Sequence, residues 1–275
     1  MFDATVVISV YNKVRELELV LSGLKIQTVK NFEIIIADDG SADEMKKFIS
    51  GYNSSSSLSI NHVWQEDDGF RKNKILNESI RQAKAHYMIF IDGDCIPHSD
   101  FVNSHLQNKE KDAVLGGRRV YLGERVSESL TPELIEKKYL ERKNITVYID
   151  NFLKKKTSTY ALEEGLLIKN KMVRDTILRK DIHLLGSNFS LHRDALIKIN
   201  GFDENYIGPG IGEDTDIEFR LRKAGYKMKS VRNLAIQYHL YHPKTKEEHK
   251  NLKYFNEEVK QRDDFMCQNG LTKTA

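Results

Sequence analysis

The chain has 275 residues, enough to bury a sizeable core in one large domain or in a domain carrying an insertion. Its 43 Lys and Arg nearly cancel 40 Asp and Glu, and a net charge of +3 excludes a protein that coats nucleic acid. Cys95 and Cys267 are too few for a disulfide framework, no apolar run is long enough for a bilayer, and MFDATVVISV lacks the layout of a signal peptide. The expectation is a cytoplasmic protein whose membrane role, if it has one, is peripheral at the inner face.

Ala4 to Val10 is an apolar, β-branched run, and from Val14 the residues Leu17, Val20, Leu21 and Leu24 recur at helical spacing, which predicts a βα unit. Phe32 to Ala37 reads as a second buried strand that ends in Asp38-Asp39-Gly40-Ser41, with a helix from about Asp43. After a serine loop at 54–57, an alternating strand is predicted around Ile60 to Trp64. A helix then carries Ile75, Leu76, Ile80 and Ala83 on its apolar face. Tyr87 to Ile91 is apolar without alternation, as in a strand buried on both faces of a parallel sheet. Strand and helix alternating over short connections predict a doubly wound, mostly parallel α/β sheet with right-handed crossovers.

In such sheets ligands bind beyond the carboxyl ends of the strands. Here the last strand ends in Asp92-Gly93-Asp94, two hard oxygen ligands around a glycine that lets the backbone approach closely. That spacing suits a divalent cation holding a diphosphate, and it also suits an ordinary strand-to-turn exit.

Four stretches, ISVYN at 8–12, DDGS at 38–41, GFRKNKILN at 69–77 and FIDGD at 90–94, resemble the nucleotide-binding half of family 2 glycosyltransferases of the GT-A fold. The resemblance implies that Asp39 contacts the uracil of a UDP-sugar and that Tyr11 lies along the base. It also implies that Asp92 and Gly93 border the nucleotide and that Asp94 binds Mn2+ or Mg2+. A carboxylate can accept the imide N–H of uracil, and an aromatic ring can cover the base. Arg71 is the candidate phosphate or uracil contact. Family members carry an Arg-Asn pair further along this helix, and here the pair is Leu76-Asn77. Asn77 keeps the asparagine, and Lys74 or Lys72 could substitute for the arginine, although for Lys72 a solvated helix face is the simpler expectation.

Asp112 to Gly117 gives another strand, followed by a change of pattern from Glu124 to about Ile182, where a helical, charged insertion is predicted. Lys137, Lys138, Arg142, Lys143 and Lys154 to Lys156 alternate there with apolar residues. The segment reads either as an amphipathic surface for an anionic membrane or lipid-linked acceptor, or as surface helices with solvated lysines.

The resemblance returns at HLLGSNFSL (183–191), RDALIKINGFDENYIG (193–208) and GIGEDTDIEFRLRKAGYK (210–227), which are similar to a galactosyltransferase-type C-terminal segment found in one branch of the family. It implies that Gly186 and Asn188 border the donor sugar and that Asp214 is the general base. Glu213 would orient acceptor or sugar hydroxyls, with Asp216 capping or bracing the helix. A helix N-terminus favours the ionised carboxylate that a base requires. Two short strands are predicted at Lys227 to Val231 and Leu234 to Tyr238. Similar transferases often carry a third metal ligand as a histidine shortly after the last strand. The resemblance implies His239 for that role with His242 as second choice, since the two cannot both be assumed to point at one ion in an extended chain. A charged helix and a frayed tail are expected to complete the chain.

The organisation expected is a nucleotide-sugar half at 1–123, the helical insertion at 124–182, an acceptor half at 183–243 and a C-terminal helix and tail at 244–275. The function implied is metal-dependent, inverting transfer of a sugar from a UDP-sugar to a glycan or lipid-linked acceptor in surface polysaccharide synthesis. Its rivals are a nucleotidyltransferase, which would need a glycine-rich basic loop after the first strand, and a catalytically silent glycan-binding subunit.

Overall fold

The computed structural model describes residues 1–142, 145–153, 157–177, 182–210, 212–243 and 249–273, without the side chains at 145, 146, 148, 175, 177 and 213. Lys143 and Lys154 to Lys156 of the basic insertion lie outside the described residues, as does the side chain of Glu213.

Uninterrupted apolar strands need cover on both faces, and the core is built accordingly. Strand β1 (Ala4–Val10) packs Val6 and Ile8 into one apolar cluster and Val7 into another. Strand β2 (Phe32–Asp38) divides Ile34 and Ile36 from Ile35 and Ala37 in the same way. After β3 (Ser59–Trp64), strand β4 (Tyr87–Asp92) divides Ile89 and Ile91 from Met88 and Phe90. Leu17, Leu21 and Leu24 of the helix Val14–Lys25 and Met45 of the helix Asp43–Ser55 fill the first cluster. Ile75 and Ile80 of the helix Lys72–Gln82, with Ile217 and Leu221 of the helix Glu213–Lys223, fill the second. Helices therefore cover both faces, as the double winding requires.

Five further strands in the main part of the chain and one near its end complete two sheets: β5 (Cys95–Pro97), β6 (Ala113–Gly116), β7 (Arg118–Tyr121), β8 (Phe189–His192), β9 (Lys227–Ser230) and β10 (Ile236–His239). The main sheet has seven strands in the order β3-β2-β1-β4-β8-β6-β9, and β5-β10-β7 form a second sheet of three. All pairings in the main sheet are parallel except those of β8, which runs antiparallel to β4 and β6. The two strands expected near the C-terminus do form, but they part company, β9 at the edge of the main sheet and β10 in the centre of the small one.

The stretch 189–192, for which no element was predicted, is a strand in the middle of the sheet. Its Phe189 ring stacks on Phe90 with centroids 4.6 Å apart, which fixes β8 against β4. The insertion is not a pair of long helices. Its described parts are short helices at Glu124–Ser129, Pro132–Glu136, Ile145–Phe152 and Lys171–Ile177, with a single 3-10 turn at Leu162–Gly165. The tail is pinned, because the Asn200 side chain donates to the carbonyls of Cys267 and Thr272 and the Leu271 N–H donates back to the Asn200 carbonyl. Among the described residues no helix is long and apolar enough to cross a membrane.

Candidate active site

Strand register decides which loops meet. Ser9 lies beside Asp92, Val10 beside Asp38, and Asp38 beside Trp64, so β1 to β4 end level and their exit loops share one edge of the sheet. A cavity of about 490 Å³ opens at that edge, lined among others by Tyr11, Asp39, Phe70, Asp92, Asp94 and His242.

The two acids of DDGS have separate tasks. Asp38 is fully buried, accepting from the Ser41 N–H at 2.8 Å and pairing with His62 Nε2 at 2.9 Å, so it holds the turn. Asp39 faces the cavity and accepts from Gln65 Nε2 at 2.5 Å and from the Arg71 N–H at 2.8 Å. Burial raises its pKa, against the pull of those two hydrogen bonds. Gly40 makes the arrangement possible: at φ +92° it suits no larger residue, and a Cβ there would stand 2.5 Å from the Asp67 Cα. The Asp67 carboxylate in turn accepts from the Tyr11 hydroxyl at 2.9 Å, which steadies the half-exposed ring over the cavity.

Arg71 contributes its main-chain N–H to Asp39, while its guanidinium turns away to the Glu66 carbonyl and, at 3.2 Å, to Asp68. Asn77 does not reach the cavity. It is fully buried, donates to the Phe202 carbonyl at 2.8 Å and to Glu204 at 2.9 Å, and accepts from the Phe202 N–H. Lys72, expected to be solvated, instead lines the cavity with its ammonium 2.9 Å from Asp92. The helix phase explains the exchange, because Lys72 sits at the helix start beside the strand ends whereas Asn77 faces inward one turn later.

Asp92 also approaches Arg119, with Nη1 3.8 Å from the carboxylate. Gly93 must be small for a steric reason: a Cβ there would fall 2.7 Å from Val10 Cγ1 and 3.0 Å from the Ser9 carbonyl oxygen. Asp94 is the centre of the constellation. Lys13 Nζ lies 2.8 Å from Oδ2, His242 Nε2 3.5 Å from Oδ2, and His239 Nε2 3.6 Å from Oδ1. One ligand atom from each of Asp94, His239 and His242 lies within 4.8 Å of the other two. Both histidines reach the carboxylate because the chain after β10 stays against Asp94: the Leu240 N–H donates to the Asp94 carbonyl at 2.9 Å, continuing the antiparallel register of β10 with β5.

The protonation states suit a cation. Burial alone would raise the Asp94 pKa, but positive charge on His239 and Lys13 holds it down at about 2. Burial also lowers His239, to about 4, against the attraction of Asp94, so at neutral pH an ionised carboxylate faces a neutral imidazole. His242 Nδ1 donates to the Pro243 carbonyl at 2.8 Å, which leaves the Nε2 lone pair directed at Asp94. One carboxylate oxygen with two imidazole nitrogens is a donor set for a transition-metal ion, which accepts nitrogen, and fits Mn2+ better than Mg2+, which prefers oxygen throughout.

Asp214 is not among the residues that line the cavity; it lies in the first turn of the helix Glu213–Lys223 and accepts from the Gly186 N–H at 3.2 Å and from the Thr215 N–H at 2.7 Å. Gly186 thus serves through its backbone. Asn188 is fully buried, donates to the Arg118 and Ala235 carbonyls at 2.9 Å and accepts from His105 Nε2 at 3.2 Å, so it is a strut and not a sugar contact. Asp216 braces the helix through a buried pair with Arg220 and a hydrogen bond from the Tyr206 hydroxyl at 3.2 Å. Sequence reading missed Lys13, Asp67 and Arg119. For Lys13 the signal was available, a lysine directly after the ISVYN strand end, whereas Arg119 enters only through the pairing of β7 with β10.

This fold is that of the GT-A glycosyltransferases, and sequence comparison specifies the family. The model described as glycosyl transferase family 2 matches residues 5–199, and one described as the N-terminal domain of galactosyltransferase matches residues 180–243. The chain belongs to glycosyl transferase family 2. It is 27% identical over 246 residues to the chondroitin synthase of Escherichia coli, covering 86% of this chain and 34% of that one. It is 25% identical over 246 residues to the hyaluronan synthase of Pasteurella multocida, covering 86% and 24%. The chain therefore spans about a third or less of the length of these relatives. In structure it resembles the mannosyltransferase PcManGT of Pyrobaculum calidifontis, solved with GDP-Man and Mn2+, with TM-score 0.56, 14% identity and 86% and 56% coverage. Residues 1–349 of S. aureus TarS with UDP give TM-score 0.55, 16% identity and 86% and 60% coverage.

Proposed function

We propose that the chain is an inverting glycosyltransferase that moves a hexose or N-acetylhexosamine from a UDP-sugar to a glycan or lipid-linked acceptor in polysaccharide synthesis. The observation that carries this reading is the cluster of Asp94, His239 and His242, of which Asp94 and His242 line the cavity that also holds Asp39. Relatives named chondroitin and hyaluronan synthases and a neighbour solved with UDP support the choice of substrate class.

In this reading Asp39 accepts the uracil imide N–H and Tyr11 covers the base. Asp94, His239 and His242 would hold Mn2+, or Mg2+ less well, and the ion supplies a Lewis acid for the departing diphosphate. Lys13 and Lys72 place two ammonium groups on the cavity wall, where the same negative charge would gather. Asp214 removes the proton from the acceptor hydroxyl as its oxygen bonds to the anomeric carbon and the bond to the diphosphate breaks. Pro209, five residues before Asp214 in the sequence, lines the cavity, which supports this reading. Glu213 orients hydroxyls beside it.

Calorimetric titration with UDP tests this at its base. Binding is expected with Mn2+ and is expected to disappear with chelator or in Asp94→Asn. Equal UDP binding under all three conditions would reject the metal assignment, and absent binding throughout would reject the nucleotide site.

A further inference from the structure

The acceptor reading leaves open what would hold a saccharide beside Asp214, and one feature outside the donor cavity bears on that question. Tyr160, in the middle of the inserted segment, meets Tyr121 at the end of β7 through two backbone hydrogen bonds, 2.9 and 3.1 Å long. Their rings stack with centroids 4.4 Å apart and planes 6° from parallel. Tyr121 in turn packs edge-on to His239, centroids 5.4 Å apart. Although one face of Tyr160 is covered by this stack, 52% of the residue is exposed, so its outer face is open. The next residue, Ala161, has φ +56°, a left-handed conformation that costs an alanine on the order of 1 kcal/mol and that turns the chain away from the ring.

The stack borders both halves of the proposed chemistry. On one side it touches His239. On the other, Arg119 holds its guanidinium 4.9 Å from the Tyr121 ring centroid and donates to Ser187 Oγ at 3.0 Å. Ser187 follows Gly186, whose N–H holds Asp214. Through Tyr121 the stack thus ties the inserted segment to His239 and to the Arg119–Ser187 contact next to the loop that holds Asp214. A pyranose presents a patch of weakly positive C–H groups on one face, which complements the negative face of an aromatic ring, while its hydroxyls stay at the rim.

We infer that the outer face of Tyr160, backed by Tyr121 against His239, is an acceptor platform on which a pyranose ring of the glycan stacks. The inference rests on the glycosyltransferase reading above, and it assigns to the inserted segment a direct part in choosing the acceptor. Lipid is not needed for recognition here, since the ring meets sugar and not acyl chain.

Saturation-transfer NMR with chondroitin, hyaluronan and maltose oligosaccharides tests it on the full chain, alongside calorimetric titration with UDP and Mn2+. At least one saccharide is expected to receive transfer on its ring protons in the native protein and in Tyr160→Phe, which keeps the flat ring. In Tyr160→Ala, and in Tyr160→Ile, which keeps apolar bulk without the ring, binding is expected to weaken at least tenfold while UDP binding is unchanged. No transfer to any of the three in the native protein would overturn the platform, as would undiminished binding in both variants. Parallel loss of UDP binding in both would also overturn it, by marking Tyr160 as structural. UDP binding to the native protein reports separately on the donor site, so the platform can fail while that reading stands.

Discussion

At the scale of single residues, the site is governed by what each side chain is left free to do. Asp38 and Asp39 are neighbours of identical chemistry, yet Asp38 is saturated by Ser41 and His62 while Asp39 faces the cavity. Asp214 is held by two main-chain N–H groups, which fix its position. Asp214→Asn preserves that shape and removes the basicity. Sugar transfer, followed as acceptor-dependent UDP release, is expected to fall by about 10²-fold or more while calorimetric UDP binding is retained. Gly93 is tied to geometry and not to charge. In Gly93→Ala the added Cβ meets the Ser9 backbone oxygen and Val10, which cannot both yield, and urea unfolding is expected to show a loss of about 1–3 kcal/mol with weaker UDP binding.

At the scale of elements, the lesson is that the residues beside the ligand are held by residues that never touch it. Asn77 links the helix Lys72–Gln82 to the turn at 201–204 through three hydrogen bonds, and that turn is also gripped by the pinned tail. Asn77→Leu leaves the buried Phe202 N–H and carbonyl without partners, so a loss of about 1–3 kcal/mol is expected, measured by urea unfolding. Because Lys72 starts the same helix, UDP affinity is expected to fall less than stability does. A residue contacting the nucleotide directly would show the reverse. Asn188 has the same character on the other side of the sheet, joining the Arg118 and Ala235 carbonyls to His105.

At the scale of the whole molecule, folding fixes the pH range in which the chain is stable. His105 is fully buried between Ser190 and Asn188, and burial lowers its pKa to about 3. The unfolded chain takes up a proton on this histidine below about pH 6.5, whereas the folded chain resists it until about pH 3. More protons bound by the unfolded state means stability that falls as pH falls through that window, by about 1.4 kcal/mol per pH unit for this one group. Asp94, held at about 2, adds a loss of the same sign only at lower pH, as it becomes protonated on the way down from the ordinary carboxylate range. Urea midpoints are expected to change little from pH 7.5 to about pH 6.5 and to decline from there to pH 4, and in His105→Phe the slope below pH 6.5 is expected to be shallower by one proton.

The amino-acid sequence by itself determined the alternation of strand and helix, the two-faced apolar strands and the acids at their carboxyl ends, because burial on both faces and strand-to-turn chemistry are local properties of a few consecutive residues. It also determined that Asp39, Asp94 and Tyr11 belong to one edge, since parallel strands of similar length end together. Tertiary structure alone decided the rest. The reversal of β8, the pairing of β10 with β5 that brings His242 as well as His239 to Asp94, and the turning inward of Asn77 and Asn188 depend on contacts between segments far apart in the chain. Lys13, Lys72 and Arg119 acquired their places in the same way, because a long basic side chain reads as solvated until the fold sets a buried carboxylate within its reach.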